Sequence, residues 1–380
     1  MMSKDTEVTG DRQIMRLAQE RTVQFQVGAG FYRPKSRIVR DLGVLAAAVY
    51  REINGQLRVL DGMSATGVRS LRYVQESGAD WVWANEGNPD LLPTLQTNLA
   101  ALATSQYQTS SEPIHRLCLA RMLAGDRYDL VDIDAFGSGA AFVQAALEVT
   151  KIGGLMYLTS TDGRTYSGRE PQRALRQYGA YVRSHPSVQE QGLRLLLGNL
   201  AQQAAQRNLG IEPIFSFFWG DTCRVMTKLV QKPTLTASNY GFLGYCHYCG
   251  NYQRPAWKKL SQASCPHDQQ PLTLSGAMWL GALHNDDFLT KMLRLAQQWD
   301  WQDVVKLLEM MIAENDLPPY FFPLKEIGSR AKIDLPKLDF LLDTLQKQGF
   351  MASRTHIQAQ AIKTNATMAE IEAIATSLSL

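Results

Sequence analysis

Three features of the sequence predict an α/β fold. Between about residue 57 and residue 160, short apolar runs alternate with helix-compatible stretches, the βαβ rhythm of a parallel sheet. Two of those runs stop at an acidic residue, Glu86 and Asp134, and in parallel sheets ligands bind at the carboxyl ends of the strands. The chain is 380 residues long, 45% hydrophobic and only 20% charged. That excludes disorder of the whole chain and, at roughly 150 residues per domain, suggests two or three domains.

The elements follow in order. The strand-like runs are Leu57-Arg58-Val59-Leu60, Trp81-Val82-Trp83-Ala84, residues 128–133 and Gly154-Leu155-Met156-Tyr157-Leu158. Residues 172–208 read as a largely buried helix marked by Leu193, Leu196, Leu200 and Ala204, and residues 211–230 as two strands joined near Gly220-Asp221. A first domain boundary falls at residues 232–239. Residues 244–270 form a small Cys-bearing insert, and residues 285–380 are expected to be helical with an interruption from Asn315 to Pro323. Leu335, Leu338, Leu341, Leu342 and Leu345 have the spacing of a helix's core face. There are no internal repeats and no low-complexity segments.

Thirty-nine Lys and Arg against thirty-six Asp and Glu leave a formal charge of +3, so any nucleic-acid site must be local. The start of the chain, Met1 to Glu7, lacks the apolar stretch of a signal peptide, and no apolar run is long enough to cross a bilayer. A soluble cytoplasmic protein is expected. Hydrophobic periodicity exposes no dimer face, so a monomer is expected. Five cysteines, three of them between positions 246 and 265, do not make a disulfide framework in a chain of this size.

Two constellations carry chemistry. In the first, residues 59–69, a strand runs through Asp61 into the small-residue turn Gly62-Met63-Ser64-Ala65-Thr66-Gly67 and then a helix, so a ligand can approach the backbone closely. Glu86 closes the second strand, where a carboxylate accepts hydrogen bonds from a ribose diol; the alternative is a solvated strand end. In the second, Asp132-Ile133-Asp134-Ala135-Phe136-Gly137-Ser138, an acid is followed by a turn and an aromatic ring, which suits a flat amine-bearing base. The alternative has Asp134 capping a helix and Phe136 in the core. Cys118 and Cys223 read as small apolar filler.

A third set, Cys246-x-x-Cys249 followed by Cys265-Pro266-His267-Asp268, has zinc-ribbon spacing. Asp268 stands where a fourth cysteine is expected, so the site is complete only if Asp268, His267 or His247 substitutes. The alternative is a degenerate ribbon that folds without metal. Basic clusters at Arg33, Lys35, Arg37 and Arg40, and at Arg164, Arg169, Arg173, Arg176, Arg183 and Arg194, can neutralise phosphates or be ordinary solvated faces. Lys325, Arg330, Lys332 and Lys337 form a third, weaker group.

Taken together, these motifs resemble the class I S-adenosylmethionine-dependent tRNA (guanine-N2) dimethyltransferases. The resemblance runs through Phe31-Tyr32-Arg33-Pro34, Arg40-Asp41, Asp61 to Arg69, Glu86 (where Asp is usual), Asp132 to Ser138 and Thr161-Asp162. It continues through Gln177-Tyr178-Gly179-Ala180, Gly192-Leu193-Arg194 and Gly276-Ala277-Met278-Trp279-Leu280-Gly281-Ala282-Leu283-His284, covering roughly residues 25–290. It implies a Rossmann-like methyltransferase domain over residues 1–238 and a smaller α+β tRNA-binding domain over residues 239–380 that contains the zinc-ribbon-like insert.

By that resemblance, Arg40, Asp61, Arg69, Glu86 and Ala120 border S-adenosylmethionine, with Glu86 on the ribose, the arginines near the methionine carboxylate and Ala120 beside the adenine. Asp134 accepts the proton lost from the guanine amine, and Phe136, with Tyr32, stacks on a flipped base. The substrate implied is guanine 26 of tRNA, with its neighbour at 27 as a second target. Two departures stand out: Leu119 replaces an Asp before Ala120, and Ala135 replaces a Pro. They motivate a rival reading, an inactive tRNA-binding protein on the same fold; the other rival is a methyltransferase for another RNA guanine.

Overall fold

Residues 16–334 and 336–378, described by a computed structural model, begin with a hairpin of β1 (Leu17–Glu20) and β2 (Val23–Gln26), then helix α1 (Arg37–Asn54). The Met1 to Glu7 stretch and Leu335 of the carboxyl-terminal stripe lie outside the described residues. An alternating series follows: β3 (Arg58–Asp61), α2 (Val68–Gln75), β4 (Trp81–Asn85), α3 (Leu92–Leu99), β5 (Tyr107–Ser110), α4 (Ile114–Leu123), β6 (Tyr128–Ile133), α5 (Val143–Val149) and β7 (Thr150–Ser160). Helices α6 (Gly163–Tyr166), α7 (Pro171–Tyr178) and α8 (Val188–Ala205) lead to the antiparallel pair β8 (Gly210–Trp219) and β9 (Thr222–Val230).

These strands form one seven-stranded sheet in the order β5-β4-β3-β6-β7-β9-β8. Strands β3 to β7 are parallel and β9 is antiparallel to both neighbours. The chain steps outward from β3 to β5 and then returns to lay β6 on the other side of β3. A crevice therefore opens at the carboxyl ends of β3 and β6, where the crossovers diverge. Alternate residues feed the two faces: Val59, Leu130, Leu155 and Tyr157 pack with Val39 and Leu42 of α1, and Leu60, Val131, Met156 and Leu158 with Leu193 and Leu196 of α8.

The stretch read as one helix over residues 172–208 is two. Gly179, with φ +68°, ends α7 in the left-handed conformation that glycine adopts without strain, and an extended segment precedes α8. A second sheet, β11-β10-β12, is built from β10 (Tyr240–Tyr245), β11 (Tyr252–Gln253) and β12 (Thr273–Trp279). After it come α9 (Asp286–Gln298), α10 (Gln302–Ala313), β13 (Phe322–Pro323), α11 (Leu324–Ala331), α12 (Leu338–Lys347), β14 (Ala352–Arg354), β15 (Ala361–Thr364) and α13 (Met368–Ser377). The expectation of a helical carboxyl-terminal region is thus corrected by a three-stranded sheet, β13-β15-β14, whose strands are too short to establish an alternating pattern. Helices α9 and α10 share a core with α1: Leu289, Met292, Val304 and Leu308 cluster with Leu42 and Leu45. No described helix is long and apolar enough to cross a membrane.

A buried ion network ties the amino-terminal hairpin to this frame. Glu20, at the end of β1, accepts from Arg40 at 2.5 Å and from Arg72 at 2.8 Å. Arg72 also reaches Asp41 and Glu76, each at 2.7 Å, while Arg21 joins Asp41 to Asp303 of α10. Burial alone would raise the Glu20 carboxyl, but Arg40 and then Arg72 hold it below the ordinary range. Removing Glu20 leaves two buried guanidinium groups short of a partner, so Glu20→Ala is expected to cost about 3–5 kcal/mol of stability. Urea unfolding of the variant beside the unaltered protein measures it, and a loss near zero would mean the network does not bear on the fold.

Candidate active site

The crevice between β3 and β6 holds a cavity of about 370 Å³. Its floor is the turn from Gly62 to Thr66, its sides Asn85, Glu86, Glu112 and Ile114, and its mouth Phe31, Arg33, Asp134, Phe136 and Arg224. Six residues, Gly62 to Gly67, connect the end of β3 to the start of α2. Gly67, at φ +78°, begins α2 where a Cβ would stand 2.6 Å from Leu95, and Ala65 takes φ +47°, a conformation costly for a residue with a side chain.

The carboxylate of Glu86 accepts from the backbone N–H of Ala65 at 2.8 Å and of Asn88 at 2.9 Å, which fixes it facing the cavity with lone pairs to spare. Asn85 locks the next loop, donating to the carbonyls of Gly62 and Glu112 and accepting from Ser110 Oγ and the Glu112 N–H. Asp61 lies beneath the turn, buried, accepting from Ser70 Oγ at 2.6 Å. It pairs in register with Asp132 on β6. Burial first, and then the Asp132 charge, push the Asp61 carboxyl up to about 7.

Arg69 projects from α2 between two acids, donating to Asp132 at 2.8 Å and to Asp134 at 2.6 Å. Tyr73 donates its hydroxyl to Asp132 at 2.6 Å, and Arg224 of β9 approaches Asp134 at 3.4 Å. Burial would raise Asp134, but Arg69, Arg224 and the Thr159 hydrogen bond outweigh it and hold its carboxyl well below the usual range. The side chain keeps 30% of its surface exposed, so the anion faces the cavity mouth. Above it Phe136 and Phe31 are 74% and 63% exposed, and their rings meet edge to face at 5.5 Å. Neither alternative for this motif holds: Phe136 is not in the core, and the short helical turn that follows begins after Ser138, not Asp134.

A family model described as N2,N2-dimethylguanosine tRNA methyltransferase matches residues 10–376. The chain belongs to the N2,N2-dimethylguanosine tRNA methyltransferase family. Among its relatives, the tRNA (guanine(26)-N(2))-dimethyltransferase of Pyrococcus furiosus is 30% identical over 88% of this chain and 90% of its own. That of Methanoregula boonei is 30% identical over 92% of each. The solved structure of Trm1 from Pyrococcus horikoshii in complex with S-adenosyl-L-methionine superposes with a TM-score of 0.82 at 26% identity, covering 95% of this chain and 99% of that one.

Within this family fold, Arg40, Arg69, Glu86, Asp134 and Phe136 line one cavity and Asp61 lies directly below it. Ala120 does not join them. It is exposed on α4 outside the lining, as is Leu119, whereas Glu112 of the preceding loop and Ile114 at the start of α4 line the cavity. Tyr32 lines the wall, but its hydroxyl donates to Glu20 and its ring packs on Phe25, so Phe31 is the ring that faces Phe136. Glu112, Arg224, Glu20 and Phe31 went unassigned in sequence; the run Ser110-Ser111-Glu112-Pro113 after a polar strand was the available signal for the first.

Cys246, Cys249, Cys265 and Asp268 converge, their ligand atoms all within 4.8 Å of one another. Cys249 Sγ lies 3.4 Å from Cys265 Sγ and Cys246 Sγ 3.3 Å from Asp268 Oδ2, spacings close to those of tetrahedral ligands around a zinc ion. Two matching turns present them: Gly250 N–H donates to Cys246 O and Gln269 N–H to Cys265 O. His267 is exposed and His247 packs on Tyr245, so Asp268 fills the fourth place. His284, Glu314 and His356 form a second buried group, into which Lys363 brings a positive charge 3.9 Å from Glu314.

Of the basic clusters, Arg37, Arg40, Arg173 and Arg194 are engaged with Asp303, Glu20, Asp162 and Glu190 respectively. Arg330 pairs with Glu326 and donates to the carbonyls of His247 and Tyr248, so it fastens the Cys-bearing turn instead of facing solvent. Arg33, Lys35, Arg169, Arg176 and Arg183 have no ion-pair partner among the described residues.

Asp61 gives this site a pH signature. Its folded-state value is raised, so the unfolded chain releases the proton first and stability falls as pH climbs from about 3.8 to about 7. Asp61→Asn removes that slope. Unfolding free energies measured at several pH values in this window should therefore show the unaltered protein losing stability relative to the variant as pH rises; parallel curves would refute the raised value.

Proposed function

We propose that this chain transfers methyl groups from S-adenosylmethionine to the exocyclic 2-amino group of guanine 26 in tRNA, adding two in succession. The observation that carries the reading is an anion held ionised by two arginines, Asp134 between Arg69 and Arg224, beneath two exposed rings and in the same cavity as Glu86. The names of the relatives supply the position on the tRNA. In this reading residues 1–238 carry the methyl-transfer site and residues 239–380 help to hold the tRNA.

Bound in the cavity, S-adenosylmethionine supplies an electrophilic methyl group and a good thioether leaving group. Glu86 would accept hydrogen bonds from its ribose, the amides of the Gly62 to Gly67 turn would border its methionine part, and Arg40 would lie near its carboxylate. Asp61 underpins the turn from below. Ile114, with Glu112, takes the adenine-side position that Ala120 does not reach.

The guanine amine is a weak nucleophile because its lone pair is delocalised into the ring, so its position governs the rate. A base flipped out of the helix can stack on Phe136 with Phe31 at its edge, directing the amine at Asp134. Asp134 accepts a hydrogen bond from one N–H, aims the lone pair at the methyl carbon and stabilises the positive charge that develops on nitrogen. Its low basicity suits this role. A methylated, still protonated exocyclic amine is a strong acid, so even a weak acceptor takes its proton and passes it to water. The monomethylated amine keeps one N–H for the second round.

Methyl transfer from labelled S-adenosylmethionine to unmodified tRNA transcripts, followed by nucleoside mass spectrometry, tests the reading. Dimethylguanosine is expected at position 26 and should vanish when that base is changed. Asp134→Asn is expected to lower kcat by roughly 10²–10⁴-fold while tRNA binding survives, and the unaltered enzyme should show no acid limb from Asp134 at mildly acidic pH. A binding protein without activity would methylate nothing.

We further propose that the Cys246, Cys249, Cys265 and Asp268 set holds a structural zinc ion, since four protein ligands leave no open position. Elemental analysis of the purified protein should find one zinc per chain, lost in Cys265→Ser. Metal-free protein with an unchanged melting temperature would sink the idea.

A further inference from the structure

From Thr222 to His267 the chain carries six lysines and arginines and no Asp or Glu. Three of these follow β11: Arg254 in the loop after it, and Lys258 and Lys259 in the short 3-10 helix Trp257–Gln262. Lys258 and Lys259 are exposed and have no ion-pair partner among the described residues. Beside them Trp257 is 41% exposed, yet its indole is fixed: Nε1 donates to the Tyr240 carbonyl at 2.7 Å, and the ring packs on Tyr240 and Phe242. An open cleft of about 290 Å³ is bordered by Trp257, Tyr240, Leu235, Thr236 and Ala237, with no carboxylate among them.

A solvated lysine pair needs no anchored ring, and a core tryptophan would not leave two-fifths of its surface open. An oriented aromatic face beside a cleft without carboxylates, followed in the chain by two unpaired ammonium groups, is the combination that takes an unstacked base and its phosphates. The backbone links this place to the cavity mouth. Gly137, next to Phe136, donates to Thr161 Oγ1, after which α6, the turn that follows it and α7 carry Arg164, Arg169 and Arg176 in that order. Tyr181 then exchanges backbone hydrogen bonds with Gly276 of β12, and Gly276 pairs with Phe242, whose ring touches Trp257.

We propose that Trp257, Lys258 and Lys259 form a second RNA contact, at which one unpaired base of the substrate lies against the indole and adjacent phosphates lie on the two lysines. The inference rests on the reading of the chain as a tRNA methyltransferase and adds a contact remote from the methyl-transfer cavity.

The test uses the full-length protein and an unmodified tRNA transcript, with affinity measured across a salt series. Lys258→Gln with Lys259→Gln is expected to weaken binding and to lower the slope of log K against log salt by about 1.4, two phosphate contacts at the single-strand value. Trp257→Ala is expected to raise Kd roughly tenfold, with Trp257→Phe restoring most of the affinity. Binding of S-adenosylmethionine, measured separately, and kcat at saturating tRNA should stay unchanged in the lysine variant. If Trp257→Ala does not fold, the lysine variant decides alone. Unchanged affinity and slope in it, with unaltered protein that methylates tRNA, overturn the second contact and leave the methyltransferase reading standing. Unaltered protein that neither binds nor methylates tRNA overturns both.

Discussion

Arg69 is the side chain on which the site depends. The topology brings Asp61 and Asp132 into register on neighbouring strands and carries Asp134 just past the end of β6. Three carboxyl groups at one strand edge repel one another and lose hydration as the sheet is covered. A single guanidinium cannot neutralise all three, and the consequence is a division of labour. Arg69 spans Asp132 and Asp134, Tyr73 adds a hydrogen bond to Asp132, and Asp61 is left with hydroxyl partners. The acid nearest the mouth stays an anion while the one under the turn is pushed toward neutrality. One fold thus keeps an ionised carboxylate at the cavity mouth and a carboxyl of raised pKa beneath the turn.

The positioning of Arg69 has its own support. Helix α2 also carries Arg72, fully buried, whose three ion pairs reach Glu20, Asp41 and Glu76. Glu20 in turn holds Arg40 and the Tyr32 hydroxyl at the cavity wall. The amino-terminal hairpin therefore acts as a clamp on the helix that aims Arg69. Its contribution is geometric, because a buried ion network is costly to desolvate and stabilises chiefly by having one satisfied arrangement.

Much of this was legible in sequence, and the reasons for the misses are physical. Strands β3, β4, β6 and β7 are apolar on both faces because helices cover both, so their runs stand out, and their terminal acids pointed to Glu86 and Asp134. Strand β5, Tyr107-Gln108-Thr109-Ser110, is an edge strand with polar residues and gave no signal, so Glu112 and Ile114, which follow it and line the cavity, were not assigned, whereas Ala120, which resemblance offered, lies outside the lining. Glu20 was invisible because its meaning comes from partners 20 and 52 residues away. Charge clusters misled in a related way: a run of arginines in sequence does not say which of them the fold will spend internally, and Arg37, Arg40, Arg194 and Arg330 are all spent so.

The carboxyl-terminal half is not a loosely attached appendage. Helices α9 and α10 complete the core over α1, and Asp303 of α10 meets Arg21 and Arg37 beside the same network that aims α2. Helix α8 packs on the main sheet with one side and on β12 with the other, while its Arg194 donates to the carbonyls of Trp279 and Gly281. Arg330 pins the Cys-bearing turn to α11, so the ribbon is fastened at both ends. Under the proposed second contact, an RNA that touched both places would present its target base at a set separation from that contact, and selection among guanines would then follow from the shape of the RNA as well as from the chemistry of one base.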